Sequence, residues 1–230
     1  MFRENDFMNL LFPRLCPACG NTLVKNEGII CMHCMYDLPR TRFSNFQDNV
    51  VARLFWGRVK LENATSCFNF QRGSRYQRLI HELKYGGRTD IGLELGRITG
   101  LELQTSPFAD ADIILPVPLH PRKERKRGYN QSDYIAEGLS RILGIPARTG
   151  LIEKHSESSS QTDKSRLQRW ENVEHIFRVP EPAKLKNLHV LIVDDVVTSG
   201  ATLDACATVI LQVEGCRVSI ATPAFTGKIF

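Results

Sequence analysis

The stretch VLIVDDVVTSGATL, residues 190–203, decides the fold. Four apolar residues are followed by two adjacent aspartates, and a segment rich in hydroxyl groups and glycine comes next. A short apolar run of this kind predicts a strand buried on both faces of a parallel sheet. The residues after it, 201–212, predict a helix. Because ligands of open α/β sheets bind at the carboxyl ends of strands, we expect a binding site at the aspartates.

The segment after the aspartates has the chemistry of a phosphate site. A helix N-terminus offers backbone N–H groups and the positive end of the helix dipole, and a glycine lets the backbone approach a ligand closely. We assign this role to Val196, Val197, Thr198, Ser199, Gly200, Ala201 and Thr202. Asp194 and Asp195 would repel a bare phosphate, so we expect them to accept hydrogen bonds from neighbouring sugar hydroxyls, with or without Mg²⁺. An ordinary capped helix after a buried strand is the alternative.

Strands and helices alternate on either side of this stretch. The pattern predicts an α/β fold whose mostly parallel sheet is covered by helices on both faces. In the helix predicted for 132–143, Ser132 is a plausible N-cap, and Asn130 is the alternative start of the helix. The predicted strands are 64–70, 111–117, 147–154, 174–179, 189–195 and 216–225, and the predicted helices are 74–87, 92–103, 132–143 and 201–212.

Four of the seven cysteines form two closely spaced pairs near the N-terminus. Cys16 and Cys19 form one C-x-x-C pair, and Cys31 and Cys34 form the other. Two such pairs joined by a short hairpin are typical of a tetrahedral zinc site, and four sulfur ligands leave no open position for catalysis. A redox C-x-x-C is the alternative, and His33 in place of Cys34 is a second ligand set. We predict a small structural zinc ribbon with four cysteine ligands.

The length of the chain allows one α/β domain and a smaller appended segment. The chain has 230 residues and a formal net charge of +5. We divide it into a zinc ribbon at 1–39, a linker at 40–62 that packs on the core, and an α/β domain at 63–230. No apolar run approaches the roughly 18 residues of a membrane span. The N-terminus does not resemble a signal peptide, and the cysteine usage favours a reducing compartment, so we expect a cytoplasmic protein.

Two larger parts of the sequence resemble known families. VLIVDDVVTSGAT resembles the 5-phosphoribosyl-1-pyrophosphate (PRPP) signature of type I phosphoribosyltransferases. The order of an LLFP-x-x-C-x-x-C ribbon, LKYGGR, PVPLHPRKERKRGYNQS and VDDVVTSGAT resembles the ComF family of competence-associated, phosphoribosyltransferase-like proteins. The resemblance covers almost the whole chain, and 40–62 is its weakest part.

The resemblance implies a type I phosphoribosyltransferase fold and a set of roles. Asp194 and Asp195 would hold the ribose hydroxyls as the catalytic pair, and 196–202 would hold the 5-phosphate. A basic run after a predicted strand would face the pyrophosphate through Arg122, Lys123, Lys126 and Arg127. From the residues alone, contact with nucleic-acid phosphates or a solvated basic face are alternatives for this run. A mobile loop would contain Gln161, Arg166, Arg169 and Asn172, although a plain surface loop fits its composition nearly as well.

Two functions follow from the resemblance. In the first, the protein transfers a phosphoribosyl group from PRPP to a nitrogen nucleophile, with Mg²⁺ and release of pyrophosphate. In the second, it binds PRPP without turnover, or binds single-stranded DNA and recombination proteins during DNA uptake. Thr198 stands where hypoxanthine-type transferases carry an acid, which argues against a 6-oxopurine acceptor. The acceptor, turnover itself and the oligomeric state stay open.

Overall fold

The computed structural model describes residues 12–71, 73–155 and 176–227. No helix in these ranges is long and apolar enough to cross a membrane. The helices are α1 (Met32–Tyr36), α2 (Val50–Arg53), α3 (Gln77–Tyr85), α4 (Thr89–Leu103), α5 (Pro121–Arg127), α6 (Gln131–Leu143) and α7 (Ala201–Leu211). The strands are β1 (Ala64–Asn69), β2 (Ile113–Pro116), β3 (Glu153–Lys154), β4 (Phe177–Arg178), β5 (His189–Val193), β6 (Val196–Val197) and β7 (Arg217–Phe225). Short 3₁₀ helices cover Phe43–Asn45, Pro107–Asp110 and Pro182–Lys184.

A parallel sheet forms the centre of the molecule. Its strand order is β1-β7-β5-β2, with the short β6 also paired to β7. Every residue of β2 and of β5 is buried, as expected for strands covered on both faces. Pro116 and Val193 are register partners, so β2 and β5 end side by side. The predicted α/β fold with a mostly parallel sheet is confirmed.

Two predicted strands lie outside this sheet. In the described residues, 147–155 and 176–179, the two segments contribute β3 and β4, which pair with each other as an antiparallel two-stranded ribbon. Among the described residues, the earlier segment pairs with the main sheet through the bridge between Ala147 and Ile114, and its Ile152 is buried against that sheet. Polar residues and Gly150, which has a φ of 76°, interrupt this segment, so it has no continuous apolar run to bury.

Glycines bring α4 and α6 into close contact. A Cβ at Gly96 would lie 2.1 Å from the carbonyl oxygen of Ile135, and one at Gly138 would lie 2.2 Å from that of Leu93. The two helices therefore pack backbone against backbone. This packing fixes the position of the first turn of α6, which lies beside the carboxyl end of β5.

The prediction of Ser132 as the N-cap of α6 is wrong. The cap is Asn130, whose side-chain oxygen accepts from the backbone N–H of Ser132, 3.3 Å away. The amide group of Asn130 also donates to the Val117 carbonyl, which ties the start of the helix to the end of β2. Ser132 therefore lies inside the helix with its hydroxyl free of any capping role.

The cysteine-rich segment and 40–62 both pack on the α/β core. Ile30 and Leu38 are buried in the same apolar cluster as the residues of α3 and α4. The hydroxyl of Tyr76 donates to the Cys34 carbonyl at 3.2 Å. In 40–62, Phe55 is 1% exposed and belongs to the apolar cluster on the other face of the sheet. The boundaries at 39 and 62 stay predictions.

Candidate functional site

Asp194 and Asp195 follow the end of β5 and are held by two different partners. Asp194 is half-buried, and its Oδ1 accepts from the Ser132 hydroxyl at 2.8 Å and from the Asp195 N–H at 2.9 Å. Asp195 is 2% exposed, and its Oδ2 lies 2.7 Å from the Lys84 ammonium. The two carboxylates thus contact α6 and α3, respectively, and Ser132 and Lys84 join the site.

Sequence reasoning assigns neither of these partners a role at the aspartates. Lys84 lies in LKYGGR, one of the segments that carry the family resemblance. Ser132 ends PVPLHPRKERKRGYNQS, another of those segments. The resemblance is therefore the one signal that points to both residues, because neither contact is local in sequence.

The environment of Asp194 disfavours its charge. Burial and the neighbouring charge of Asp195 raise the pKa of Asp194 to about 7, although the Ser132 hydroxyl, the Asp195 N–H and the Lys84 charge oppose this rise. This carboxyl therefore keeps its proton to a higher pH than an ordinary aspartate does. A ligand that brings a cation or hydroxyl donors would favour its ionised form.

The segment predicted to hold a phosphate forms a tight turn into α7. It begins with β6, and Gly200, with a φ of 75°, is the N-cap residue of α7. No side chain in the described part of the protein caps this helix, and Thr198 and Ser199 are exposed. The first turn of α7 therefore follows the two aspartates closely in sequence and has exposed residues at its start, and a helix N-terminus of this kind suits an anion.

Two residues of 40–62 contact this turn and hold its backbone in place. A Cβ at Gly200 would lie 3.0 Å from the Phe55 ring, so the glycine packs directly on that ring. The Arg58 guanidinium donates to the Ser199 carbonyl at 3.2 Å and pairs with Asp204 of α7 at 2.7 Å. Nothing in the sequence indicates this role, because 40–62 carries no motif and its contacts are distant in the chain.

The basic run forms α5, and its four predicted anion-binding residues divide into two groups. Arg122, Lys123 and Lys126 are exposed and form no ion pair with another described residue. Arg127 is partly buried instead. Its guanidinium donates to the Gln131 side chain and lies 5.5 Å from the centre of the Tyr85 ring. The run thus has an outward basic face and one arginine directed towards α3.

A cleft of about 320 Å³ lies beside the carboxyl end of β2. Asp133 lines it, and burial followed by the charge of Glu124 raises the pKa of Asp133 to about 6, against the effect of a hydrogen bond from Asn130. Asp133 is adjacent in sequence to Ser132, so the first turn of α6 faces both the cleft and Asp194. The other lining residues are Pro116, Pro118, Leu119, Pro121, Glu124, Asn130, Thr149, Gly150, Ile152, Glu153, Lys154 and His155.

The four cysteines converge on one point. Their Sγ atoms all lie within 4.8 Å of one another, and Cys19 and Cys31 are 3.7 Å apart. A tetrahedral metal with bonds of ~2.3 Å separates its sulfur ligands by about 3.8 Å, so the donor set fits one metal ion. Burial disfavours the thiolate of Cys16, but hydrogen bonds from the backbone of Cys31, Cys19 and Ala18 outweigh it and lower the pKa to about 7. His33 lies outside the cluster of sulfurs.

The residues predicted for a mobile loop, Gln161, Arg166, Arg169 and Asn172, lie outside the described residues. Their role stays a prediction.

Comparisons with known proteins agree with this geometry. Residues 131–228 match the model of the phosphoribosyl transferase domain. The DNA utilization protein YhgH of Salmonella typhimurium is 32% identical over 210 residues, covering 86% of this chain and 78% of the relative. The competence protein ComFC of Bacillus subtilis is 31% identical over 203 residues, covering 86% and 72%.

Other matches are less complete. The YhgH protein of Escherichia coli O157:H7 is 35% identical over 138 residues, and the chain spans 60% of its length. Among solved structures, the allosteric regulatory enzyme of purine biosynthesis matches with a TM-score of 0.42 and 21% identity, over 60% of this chain and 29% of that one. This last likeness is too distant to carry an argument.

The raised pKa of Asp194 predicts a pH-dependent effect of Asp194→Asn on stability. The folded state binds this proton more tightly than the unfolded chain, so ionisation costs stability as the pH rises from the ordinary value of 3.8 to about 7. The amide removes that cost. We expect the variant to melt roughly 2–6 °C above the parent at pH 8, for about 1–2 kcal/mol after allowance for partial exposure, and to match it near pH 4.

The control is Asp48→Asn. The hydrogen bond from Arg53 lowers the pKa of Asp48, so this substitution changes stability in the opposite direction at neutral pH. Thermal melts of all three proteins from pH 4 to pH 8 provide the comparison. A difference between Asp194→Asn and the parent that does not vary with pH would contradict the assigned environment.

Proposed function

The chain belongs to the ComF family of phosphoribosyltransferase-like proteins, and from that premise we propose that it binds PRPP with Mg²⁺ and transfers the phosphoribosyl group. One observation carries the proposal. Two carboxylates at the end of a buried strand are followed closely in sequence by a turn and the N-terminus of α7. Such a site provides acceptors for hydroxyl groups and donors for a phosphate within a few residues of each other.

Each part of PRPP has a complementary part of the site. The 5-phosphate accepts from the backbone and hydroxyls of 196–202, which Phe55 and Arg58 hold in place. The ribose hydroxyls donate to Asp194 and Asp195. The pyrophosphate faces α5 and its arginine and lysine side chains. Carboxylate and phosphate oxygens are the ligands that Mg²⁺ prefers, and the ion would neutralise charge on the leaving group.

The reaction is a displacement at the anomeric carbon. The bond from this carbon to the pyrophosphate oxygen breaks, pyrophosphate leaves with the electron pair, and a nitrogen nucleophile forms the new bond and gives up a proton. We place the acceptor in the cleft beside β2, where Asp133, with a pKa of about 6, is our candidate to take that proton. Alignment and charge stabilisation by the site supply the catalysis, with no covalent intermediate.

For the cysteine cluster we propose structural zinc. All four positions of a tetrahedral ion are filled by sulfur, so the ion has no open position for a substrate. Because the ribbon around it is short, metal binding would provide much of its folding free energy.

A second candidate function is binding of single-stranded DNA. The specific observation is the outward face of α5, where Arg122, Lys123, Arg125 and Lys126 are exposed and form no ion pair with other described residues. Curated relatives are named for DNA utilization and for competence. A row of unpaired cations suits a phosphate backbone, and we propose a role in DNA uptake in which PRPP is a substrate or a regulatory ligand.

Binding of PRPP is tested by thermal stabilisation. PRPP with Mg²⁺ at about 100 times its Kd would add ~2.7 kcal/mol to the parent and raise its Tm by roughly 5–10 °C. We expect a variant with both Asp194→Asn and Asp195→Asn to lose this rise relative to its own ligand-free Tm. Asp48→Asn, on an exposed surface, keeps it.

Turnover is measured separately as pyrophosphate release with a panel of bases and amines. An equal rise in Tm for the double variant and the parent would refute the assignment of the two acids. Stabilisation without pyrophosphate release would favour ligand binding without turnover.

The metal proposal predicts one zinc ion per chain. We expect Cys34→Ser to lose the metal and much of the stability of the ribbon, since zinc contributes roughly 10 kcal/mol to such folds. Cys216→Ser, outside the cluster, keeps it. Elemental analysis of the purified proteins gives the zinc content, and two disulfides in place of the metal would be the opposite result.

The outward face of α5 is tested with two ligands. In a variant with Arg122, Lys123, Arg125 and Lys126 all changed to Ala, we expect the slope of log affinity for single-stranded DNA against log salt to fall by about 2–3, at ~0.7 per lost phosphate contact. Lys186→Ala, on a distant surface, serves as the control. Loss of PRPP affinity with unchanged DNA binding would assign this face to pyrophosphate instead.

A further inference from the structure

We propose that Lys84 is an exchangeable counter-ion of the sugar-phosphate site. Its ammonium holds Asp195 in the structure, and on binding of PRPP it transfers to oxygens of the pyrophosphate group, which releases Asp195 to the ribose. This inference rests on the proposed function and adds to it a residue that couples recognition of the leaving group to recognition of the sugar.

The first argument is the position of the ammonium. Lys84 Nζ lies 2.7 Å from Asp195 Oδ2, and the side chains are 22% and 3% exposed, respectively. The lysine therefore covers the buried acid on its more open side. While this ion pair persists, Oδ2 is occupied and a ribose hydroxyl has to displace the ammonium to reach it.

The second argument is the direction in which the ammonium can move. The residues on either side of Lys84 both contact the segment that follows β2. The hydroxyl of Tyr129 donates to the Leu83 carbonyl, and the Arg127 guanidinium lies over the Tyr85 ring. Lys84 thus contacts Asp195 directly, while both of its neighbours in the chain contact the segment for which we propose pyrophosphate contacts.

The third argument is that the backbone beneath the lysine is fixed at both ends. At the start of α3, the Tyr76 hydroxyl donates to the Cys34 carbonyl, and Arg75 pairs with Asp37 at 2.6 Å. At its end, the contact with Tyr129 holds Leu83. Only the side chain needs to move, and the flexible stem and compact charge of a lysine suit such a transfer.

The exchange also follows from electrostatics. A carboxylate as buried as Asp195 is unfavourable without a cation or hydrogen-bond donors. PRPP brings both kinds of compensation at once, because its hydroxyls donate to the acid while its pyrophosphate attracts the ammonium. A sugar phosphate without pyrophosphate offers the first and lacks the second, so it gains nothing from the lysine.

The test compares two ligands. Calorimetric titrations at pH 8.5 measure the affinity of PRPP with Mg²⁺ and of ribose 5-phosphate for the parent, Lys84→Met, Lys84→Arg and the control Lys186→Met. We expect Lys84→Met to weaken PRPP by about 30-fold, as for the loss of one charged hydrogen bond. It would weaken ribose 5-phosphate by less than about 3-fold or strengthen it, because the ammonium no longer competes for Asp195. Lys84→Arg, which keeps the charge, stays within roughly 5-fold of the parent for PRPP.

Three results would overturn the inference. Equal weakening of both ligands by Lys84→Met would mean that the lysine only positions Asp195. Unchanged affinity for both would mean that it has no part in binding. If the parent binds neither ligand, both the proposed function and the inference are refuted. If the parent binds both ligands but Lys84→Met does not weaken PRPP selectively, only the inference is refuted.

A second variant shows whether misfolding of Lys84→Met explains its loss of affinity. Lys84→Gln keeps a polar side chain of similar length and is expected to show the same difference between the ligands as Lys84→Met.

Thermal melts without ligand of Lys84→Met, Asp195→Asn and their combination measure the ion pair itself. We expect the decrease in Tm of the combination to be smaller than the sum of the two single decreases, and a simple sum would contradict the pairing.

Discussion

Two adjacent carboxylates at the end of a buried strand are the constraint on which the rest of the site depends. Two negative charges at the carboxyl end of a buried strand need compensation, because burial and mutual repulsion both oppose ionisation. The protein compensates the two carboxylates in two different ways. Asp194 receives the Ser132 hydroxyl from α6, and Asp195 receives the Lys84 ammonium from α3. The positions of both helices relative to β5 are therefore part of the electrostatics of the site, and so is the glycine-mediated contact that holds α6 against α4.

The cysteine-rich segment and 40–62 take part in this arrangement as well. The former contacts the start of α3 through Cys34 and Asp37, and the other end of the same helix carries Lys84. The latter places Phe55 and Arg58 behind the turn that precedes α7. A metal in the ribbon and a phosphate at the turn would thus each stabilise elements that reach the two aspartates from opposite sides. This explains in physical terms why neither segment behaves as an appendage of the α/β core.

The elements that could be predicted from the sequence are those that depend on local patterns. The apolar run before Asp194 predicted β5, and the two C-x-x-C pairs predicted the cluster of sulfurs. The partners of the aspartates could not be predicted, because they depend on packing between distant segments. Ser132 was expected to cap its helix, but Asn130 accepts the backbone N–H and leaves the hydroxyl for Asp194. Arg58 lies 141 residues from Ser199, and no period or motif marks that contact. The strands expected at 147–154 and 174–179 are reduced to a two-stranded ribbon in the described residues. Each buries only a few apolar residues, such as Ile152 and Phe177, and lacks the continuous apolar run of β2 and β5.

The basic helix α5 explains how one fold can be suited to two kinds of phosphate ligand. Its last residue, Arg127, is fixed against Gln131 and Tyr85 and lies on the side of α3 and Lys84. The cations before it are exposed. Because we also propose that the pyrophosphate of PRPP contacts cations of this helix, DNA on the outward face would compete with it for those side chains. A ligand there can also act on the site through the backbone of 121–131, where the hydrogen bonds of Asn130 to Val117 and of Tyr129 to Leu83 connect this segment to the end of β2 and to α3.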